Sequence, residues 1–162
     1  MRADIILAAI AGASSASASV MRIASETMEY DWTVTGWKAG CLHKECAYDF
    51  TISGPLNLTS RPETPAFEAH CAGNGEGSPY RLCKRVDSEK TDAIVVSKLL
   101  PNTNPTTNGT HPAIIQVSLK YTDLNSPTTW WNFTGHAASI YNELLSPLQS
   151  FTITPDEIEG VA

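Results

Sequence analysis

Apolar and polar residues alternate along most of this chain. A period of two is the pattern of a strand with one face in a core and the other in water. Cys46, Tyr48, Phe50 and Ile52 share one face, and Ala47, Asp49, Thr51 and Ser53 share the other. Phe67, Ala69 and Cys71 alternate with Glu68 and His70, and Ile115, Val117, Leu119 and Tyr121 with Gln116, Ser118 and Lys120. Trp32-Thr33-Val34-Thr35 and Phe151-Thr152-Ile153-Thr154 behave alike. Ala93-Ile94-Val95-Val96-Ser97 is a further strand, but its residues do not choose an inward face. Turn formers fill the gaps: Gly54-Pro55, Arg61 to Pro65, Gly73 to Pro79, and the long polar stretch from Pro101 to Thr110. With 42% hydrophobic and 17% charged residues the chain holds enough apolar material for a core, and its 162 residues suit one domain. The predicted fold is all-β, an antiparallel β-sandwich or β-barrel.

Two segments depart from alternation. Ala137, Ile140, Tyr141, Leu144 and Leu145 form an apolar stripe at helical spacing, stopped by Ser146-Pro147, and predict one short helix packed on the sheet. Thr154-Pro155-Asp156-Glu157 has the capping residue, proline and acid of a helix start, and predicts a single helical turn.

The first residues have the order of a secretory signal. Arg2 precedes the apolar run Ile5 to Ala13, and small residues from Ser14 to Ser19 follow. The expected organisation is a signal peptide over 1–18 and a single secreted β domain over 19–162. No later segment is long and apolar enough for a helix that spans a membrane. A formal net charge of −6 argues against nucleic acid as a partner.

Export agrees with an even cysteine count and with three glycosylation sequons. Cys41, Cys46, Cys71 and Cys83 suggest two disulfides in an oxidising compartment. Cys41 and Cys46 bracket a short connection between strands, and Cys71 and Cys83 bracket the glycine-rich loop. Those two pairings are preferred, and would contribute about 2 and about 3 kcal/mol by loop-closure entropy. Cys46–Cys71 with Cys41–Cys83 is the alternative. Tyr80 and Leu82 are expected to pack on the core beside Cys83. The sequons are Asn57-Leu58-Thr59, Asn108-Gly109-Thr110 and Asn132-Phe133-Thr134, while Pro105 disqualifies Asn104.

Chemistry-bearing motifs are absent from the sequence. It has no nucleophile elbow, no zinc-protease helix motif and no phosphate-cradling glycine loop. No cysteine pair has zinc-knuckle spacing, so no metal or cofactor is expected. His43, His70, His111 and His136 are scattered, and His70 should point outward with Glu68. Asp49 and Glu68 are solvated acids on strand faces. Trp130-Trp131-Asn132-Phe133-Thr134 is more informative. A glycosylated Asn132 faces solvent, which places Trp130 and Thr134 outward and Trp131 and Phe133 inward. Trp130 is thus a candidate exposed aromatic, able to stack on a sugar or anchor an interface, unless it packs under a loop or the short helix. Trp37 is the second candidate, because it shares phase with Thr33 and Thr35.

The segments Trp32-Thr33-Val34 to Cys41, Cys46 to Ile52, Phe67-Glu68-Ala69-His70-Cys71 and Tyr80-Arg81-Leu82-Cys83 together resemble small secreted proteins of filamentous fungi. The nearest family by these residues is the major-allergen-like β-barrel family of Alternaria and its relatives. The resemblance covers about a third of the chain. It implies a non-enzymatic secreted protein with host-interaction or effector roles, and it carries over no catalytic residues. Family members carry further cysteines in the C-terminal half, whereas this chain has none after Cys83.

The function expected is therefore a secreted, non-enzymatic interaction protein, a fungal effector or elicitor whose partner is a host or extracellular protein. The alternative is a carbohydrate-binding or wall-associated module whose partner is a polysaccharide, and a hydrolase is a distant third. The secreted protein is expected to begin between Ser17 and Val20 and to hold no free thiol. N-terminal sequencing, with thiol titration of unreduced, denatured protein, checks both. A retained Met1 or titratable cysteines would contradict the secretory route.

Overall fold

A computed structural model describes residues 20–24, 30–42, 45–87, 92–101, 112–142 and 148–161. The predicted signal peptide, His43, His111 and Asn108 lie outside these residues. The strands are β1 (Val20–Ala24), β2 (Trp32–Leu42), β3 (Glu45–Gly54), β4 (Phe67–Asn74), β5 (Arg81–Leu82), β6 (Lys84–Arg85), β7 (Ile94–Leu99), β8 (Ala113–Thr122), β9 (Trp130–Ser139), β10 (Gln149–Ile153) and β11 (Pro155–Val161). They form a six-stranded sheet ordered β1-β11-β9-β8-β7-β5 and a five-stranded sheet ordered β10-β2-β3-β4-β6, antiparallel throughout. The fold is all-β, as the alternation predicts.

The inward faces of both sheets meet in one core. Tyr48, Phe50 and Ile52 of β3 and Phe67, Ala69 and Cys71 of β4 enter it from the five-stranded sheet. Val117, Leu119 and Tyr121 of β8 and Phe133 of β9 enter it from the other. In β7 the inward residues are Val95, Ser97 and Leu99, which resolves the face its sequence leaves open. Aromatic rings fill much of the gap between the sheets. Trp37 lies 5.6 Å from Phe50 and 5.5 Å from Phe151, Trp32 lies 5.7 Å from Phe67, and Tyr121 lies 5.7 Å from Phe133. These separations suit edge-on and tilted ring contacts.

The chain changes sheets twice within a single residue. Cys83 alone separates β5 of the six-stranded sheet from β6 of the other, and Thr154 alone separates β10 from β11. Such sheet-switching strands make the corners of a sandwich. The crossing at Cys83 corrects one expectation. Tyr80 and Leu82 do not pack on the core; they are 39% and 73% exposed, while Cys83 is buried. In β5, Leu82 pairs with Val96 on the outer face, and only at the crossing does the chain turn inward.

Both preferred disulfides are present, Cys41–Cys46 and Cys71–Cys83, and no cysteine is free. Cys41 and Cys46 are direct register partners across the β2–β3 hairpin. The predicted loop from Gly73 to Pro79 is shorter than expected, because β4 continues through Gly73 and Asn74. Gly73 is required there: a Cβ would lie 2.5 Å from the Tyr48 hydroxyl of β3.

The predicted helix is not found among the described residues. Ala137 belongs to β9, opposite Ile115, and Ile140 and Tyr141 follow without helical structure, while Leu144 and Leu145 lie outside the described residues. Long-range partners take the place of local helical bonds. Trp37 Nε1 donates to the Ile140 carbonyl at 2.9 Å, and the Asn142 amide both accepts from Ala39 N at 2.8 Å and donates to Trp37 O at 3.0 Å. The predicted helical turn at Thr154 is also replaced, since Pro155 opens β11 opposite Gly135. A proline is tolerated at the first residue of a strand because it owes no ladder donor there. The Thr154 hydroxyl donates to Asp31 instead of capping a turn.

Trp37 is the largest correction. It is fully buried, although its phase with Thr33 and Thr35 predicts the opposite face. Between Thr35 and Lys38 the β2–β3 register shifts by one residue, and Gly36 in this bulge has φ +66°. One extra residue inverts every side chain after it, so Trp37 and Ala39 point inward where Thr33 and Thr35 point outward. A Cβ on Gly36 would meet nothing within 4 Å. Gly36→Ala should therefore cost only the left-handed backbone penalty, about 1–2 kcal/mol, read from the denaturation midpoint. An unchanged midpoint would contradict a left-handed Gly36.

Candidate functional site

The outer face of the six-stranded sheet carries the side chains with most to offer a partner. Its cross-strand registers lay these out in rows. Leu82, Val96, Ser118, Thr134 and Glu157 form one row across β5, β7, β8, β9 and β11. Ile94, Lys120, Asn132 and Glu159 form the next, and Thr122, Trp130 and Val161 the row beyond it. The edge at β5 and β7 is apolar: Leu82 and Val96 pair directly, and Ile94 stands two residues along the same face, 47% exposed. Beside it, the Lys98 ammonium lies 4.4 Å from the centre of the Tyr80 ring.

Trp130 sits on this outer face, half-buried, as the alternation around Asn132 requires. The Lys120 ammonium lies over its ring, 4.1 Å from the centroid, in cation–π geometry. Trp131 faces the other way and packs against the core. Its indole N–H donates to Asp123 Oδ2 at 2.6 Å, and Asp123 Oδ1 accepts from the backbone of Asn125 and Ser126 at 2.8 and 2.9 Å. Asp123 thus holds Trp131 on the side to which the alternation assigns it. Nothing in the alternation alone identifies that partner, because the turn from Asp123 to Thr129 is what brings it beneath Trp131.

Asn132 and Thr134, the first and third residues of their sequon, stand on the outward side of β9 and are joined through Ser118 of β8; Asn132 is half-buried, and Thr134 and Ser118 are buried. Ser118 Oγ donates to Asn132 Oδ1 at 2.7 Å and lies 2.9 Å from Thr134 Oγ1. Asn57 belongs to a different setting, the loop between β3 and β4. Its Oδ1 accepts from Thr59 N, Thr59 Oγ1 and Ser60 N at 2.9–3.0 Å, a side-chain-closed turn. Asn57 and Thr64 exchange backbone hydrogen bonds that close this loop. From inside the sandwich, the Tyr121 hydroxyl donates to Glu63 O at 3.0 Å and Tyr30 to Pro65 O at 3.3 Å. Burial raises the pKa of both tyrosines, so they remain protonated donors.

Both histidines among the described residues lie beside an aspartate. His70 and Asp49, both outward as predicted, lie 3.3 Å apart on the five-stranded sheet. His136 and Asp156 lie 2.7 Å apart on the six-stranded sheet. Among the described residues no group of three or more His, Cys, Asp or Glu side chains could hold a metal ion. A shallow open depression lies between the end of β9 and β10, lined by Ala138, Ser139, Ile140, Gln149, Ser150 and Phe151. It presents no acid, base or metal ligand. No helix among the described residues is long and apolar enough to cross a membrane.

Comparison with protein-family models, curated proteins and solved structures finds no match to this chain.

Burial acts to raise the Asp123 pKa, but the hydrogen bonds from Trp131, Asn125 and Ser126 outweigh it and the net shift is downward. A carboxylate with a depressed folded pKa contributes stability that is complete above the ordinary aspartate value, about 3.9, and lost as pH falls through the folded value. Wild-type protein should accordingly lose more stability on acidification below about pH 4 than Asp123→Asn. Parallel unfolding midpoints for the two proteins across that range would show that the carboxylate is not linked to folding.

Proposed function

We propose that this chain is a secreted, non-enzymatic interaction protein, an effector or elicitor acting outside the fungal cell on a host or other extracellular protein. The observation that carries the reading is an apolar edge, made by the exposed Leu82 and Ile94 with the half-buried Val96 beside them, on a sheet whose corner is held by a disulfide. Contiguous exposed apolar side chains mark interaction surfaces, and a pinned sheet presents them with little ordering cost. Strand β5 covers β7 over two residues only, so the edge lies at the rim of the sheet. The signal-like first residues, the sequons and the resemblance to the Alternaria family support the same reading, and two disulfides are consistent with an extracellular protein.

The second reading, a carbohydrate-binding or wall-associated module, draws on Trp130 at the outer face. A flat aromatic there suits a sugar ring.

Infiltration of the purified protein into leaf tissue, with the oxidative burst as readout, tests the first reading. Leu82→Asp and Ile94→Asp should each raise the concentration for half-response by about tenfold or more, with the β-type circular dichroism unchanged. Absence of a response at every concentration, or equal responses from wild type and both variants, would overturn this use of the edge. Retention on chitin, glucan or cellulose that disappears in Trp130→Ala would favour the second reading.

A further inference from the structure

We propose that Asn132 carries an N-linked glycan whose first N-acetylglucosamine lies back over the Trp130 ring, so that this tryptophan serves as a platform for the protein's own sugar. The proposal rests on the secretory reading above. It also assigns a resident ligand to the aromatic that otherwise suggests binding of a foreign polysaccharide.

Three features of the outer face carry it. Asn132 and Trp130 stand two residues apart on one face of β9, a separation of about 7 Å, the reach of a sugar attached directly to the amide. The Asn132 amide is oriented: Oδ1 is held toward the sheet by the Ser118 hydroxyl, which leaves Nδ2, the atom of attachment, as the other end of the group. Finally, the Trp130 ring already takes a ligand from the row of Asn132. The ammonium on its face belongs to Lys120, the register partner of Asn132 on β8. A ring that accepts a cationic chain from the neighbouring strand can accept the apolar face of a pyranose attached two residues along its own strand.

The modification itself balances simply. The Asn132 Nδ2–C1 bond forms as the C1–O bond to a lipid-diphosphate sugar donor breaks, and an amide proton is lost. Transfer to the unfolded chain precedes formation of β9. On folding, the sugar takes the place of the Lys120 ammonium over the indole.

The test uses the full chain secreted from a eukaryotic host and trimmed to a single N-acetylglucosamine at each occupied sequon. Peptide mass mapping should find the sugar on Asn132. In the trimmed protein, nuclear Overhauser contacts should connect the Trp130 indole to the sugar, and ring currents should move sugar protons upfield. The melting temperature should exceed that of Asn132→Gln by roughly 2–4 °C. That difference should vanish when both proteins also carry Trp130→Ala, or Trp130→Leu, which keeps apolar bulk without a flat ring. Lys120→Ala should leave it in place. An unmodified Asn132 in a secreted protein glycosylated at Asn57 would overturn this inference and leave the secretory reading standing. Failure of the chain to be secreted would overturn both. An occupied Asn132 without indole contacts, or with the same melting difference in the Trp130 variants, would overturn the platform alone.

Discussion

The Cys71–Cys83 disulfide sits where the two sheets become one molecule. Cys83 is the residue at which the chain leaves the six-stranded sheet for the five-stranded one, and its partner lies in the interior of β4. Its backbone amide donates to Val95 O of β7 at 2.9 Å. Its sulfur lies 3.4 Å from Ser97 Oγ, which in turn lies 3.0 Å from the Tyr48 hydroxyl. One residue thus links β4 covalently to a corner that is hydrogen-bonded to the opposite sheet. The buried Ser97 and Tyr48 hydroxyls satisfy each other there, and desolvation keeps the Tyr48 pKa raised. The two cysteines stand 12 positions apart in the chain, so the bond also removes freedom from the unfolded chain, about 3 kcal/mol on the loop-closure account.

The same corner generates the surface used in the functional reading. Because the chain must turn inward at Cys83, Leu82 is left facing out on the short edge strand, beside Val96 and near Ile94. Farther across this sheet Asp123 holds the inward Trp131, and Trp130 takes the outer face with Asn132 and Lys120. An apolar edge and an aromatic row beside a sequon therefore occupy one outer face. They are separated by Ser118 and Lys120 on β8. The two proposals concern different strands of that face.

Much of the core was legible in the chain. Tyr48, Phe50, Ile52, Val117, Leu119 and Tyr121 are buried because each alternates with polar neighbours over a strand long enough to show the period. The short cysteine pairings were legible for a similar reason, since each pair closes a local segment. Elements governed by distant partners were not. The stripe from Ala137 to Leu145 has helical spacing, yet Ala137 is taken by β8 and the residues after β9 are held to β2 through Trp37 and Asn142. Trp37 misled because Gly36 inserts one residue into the ladder, and a glycine in a strand does not announce on which side its bulge will fall.

By itself the sequence determined the class of fold, the inward faces of the long strands and the outward placement of Asn132 and Trp130. These follow from a local period that side-chain hydrophobicity imposes wherever one strand face is buried. Only the tertiary structure decided which strands pair, where the chain crosses between sheets and that Trp37 is hidden. Each of those depends on contacts between residues far apart in the chain, such as Trp37 with Ile140 and Asn142, and Cys83 with Val95. A one-residue bulge or a one-residue crossing reverses the face of everything that follows, and no local pattern records on which side of the ladder the reversal occurs.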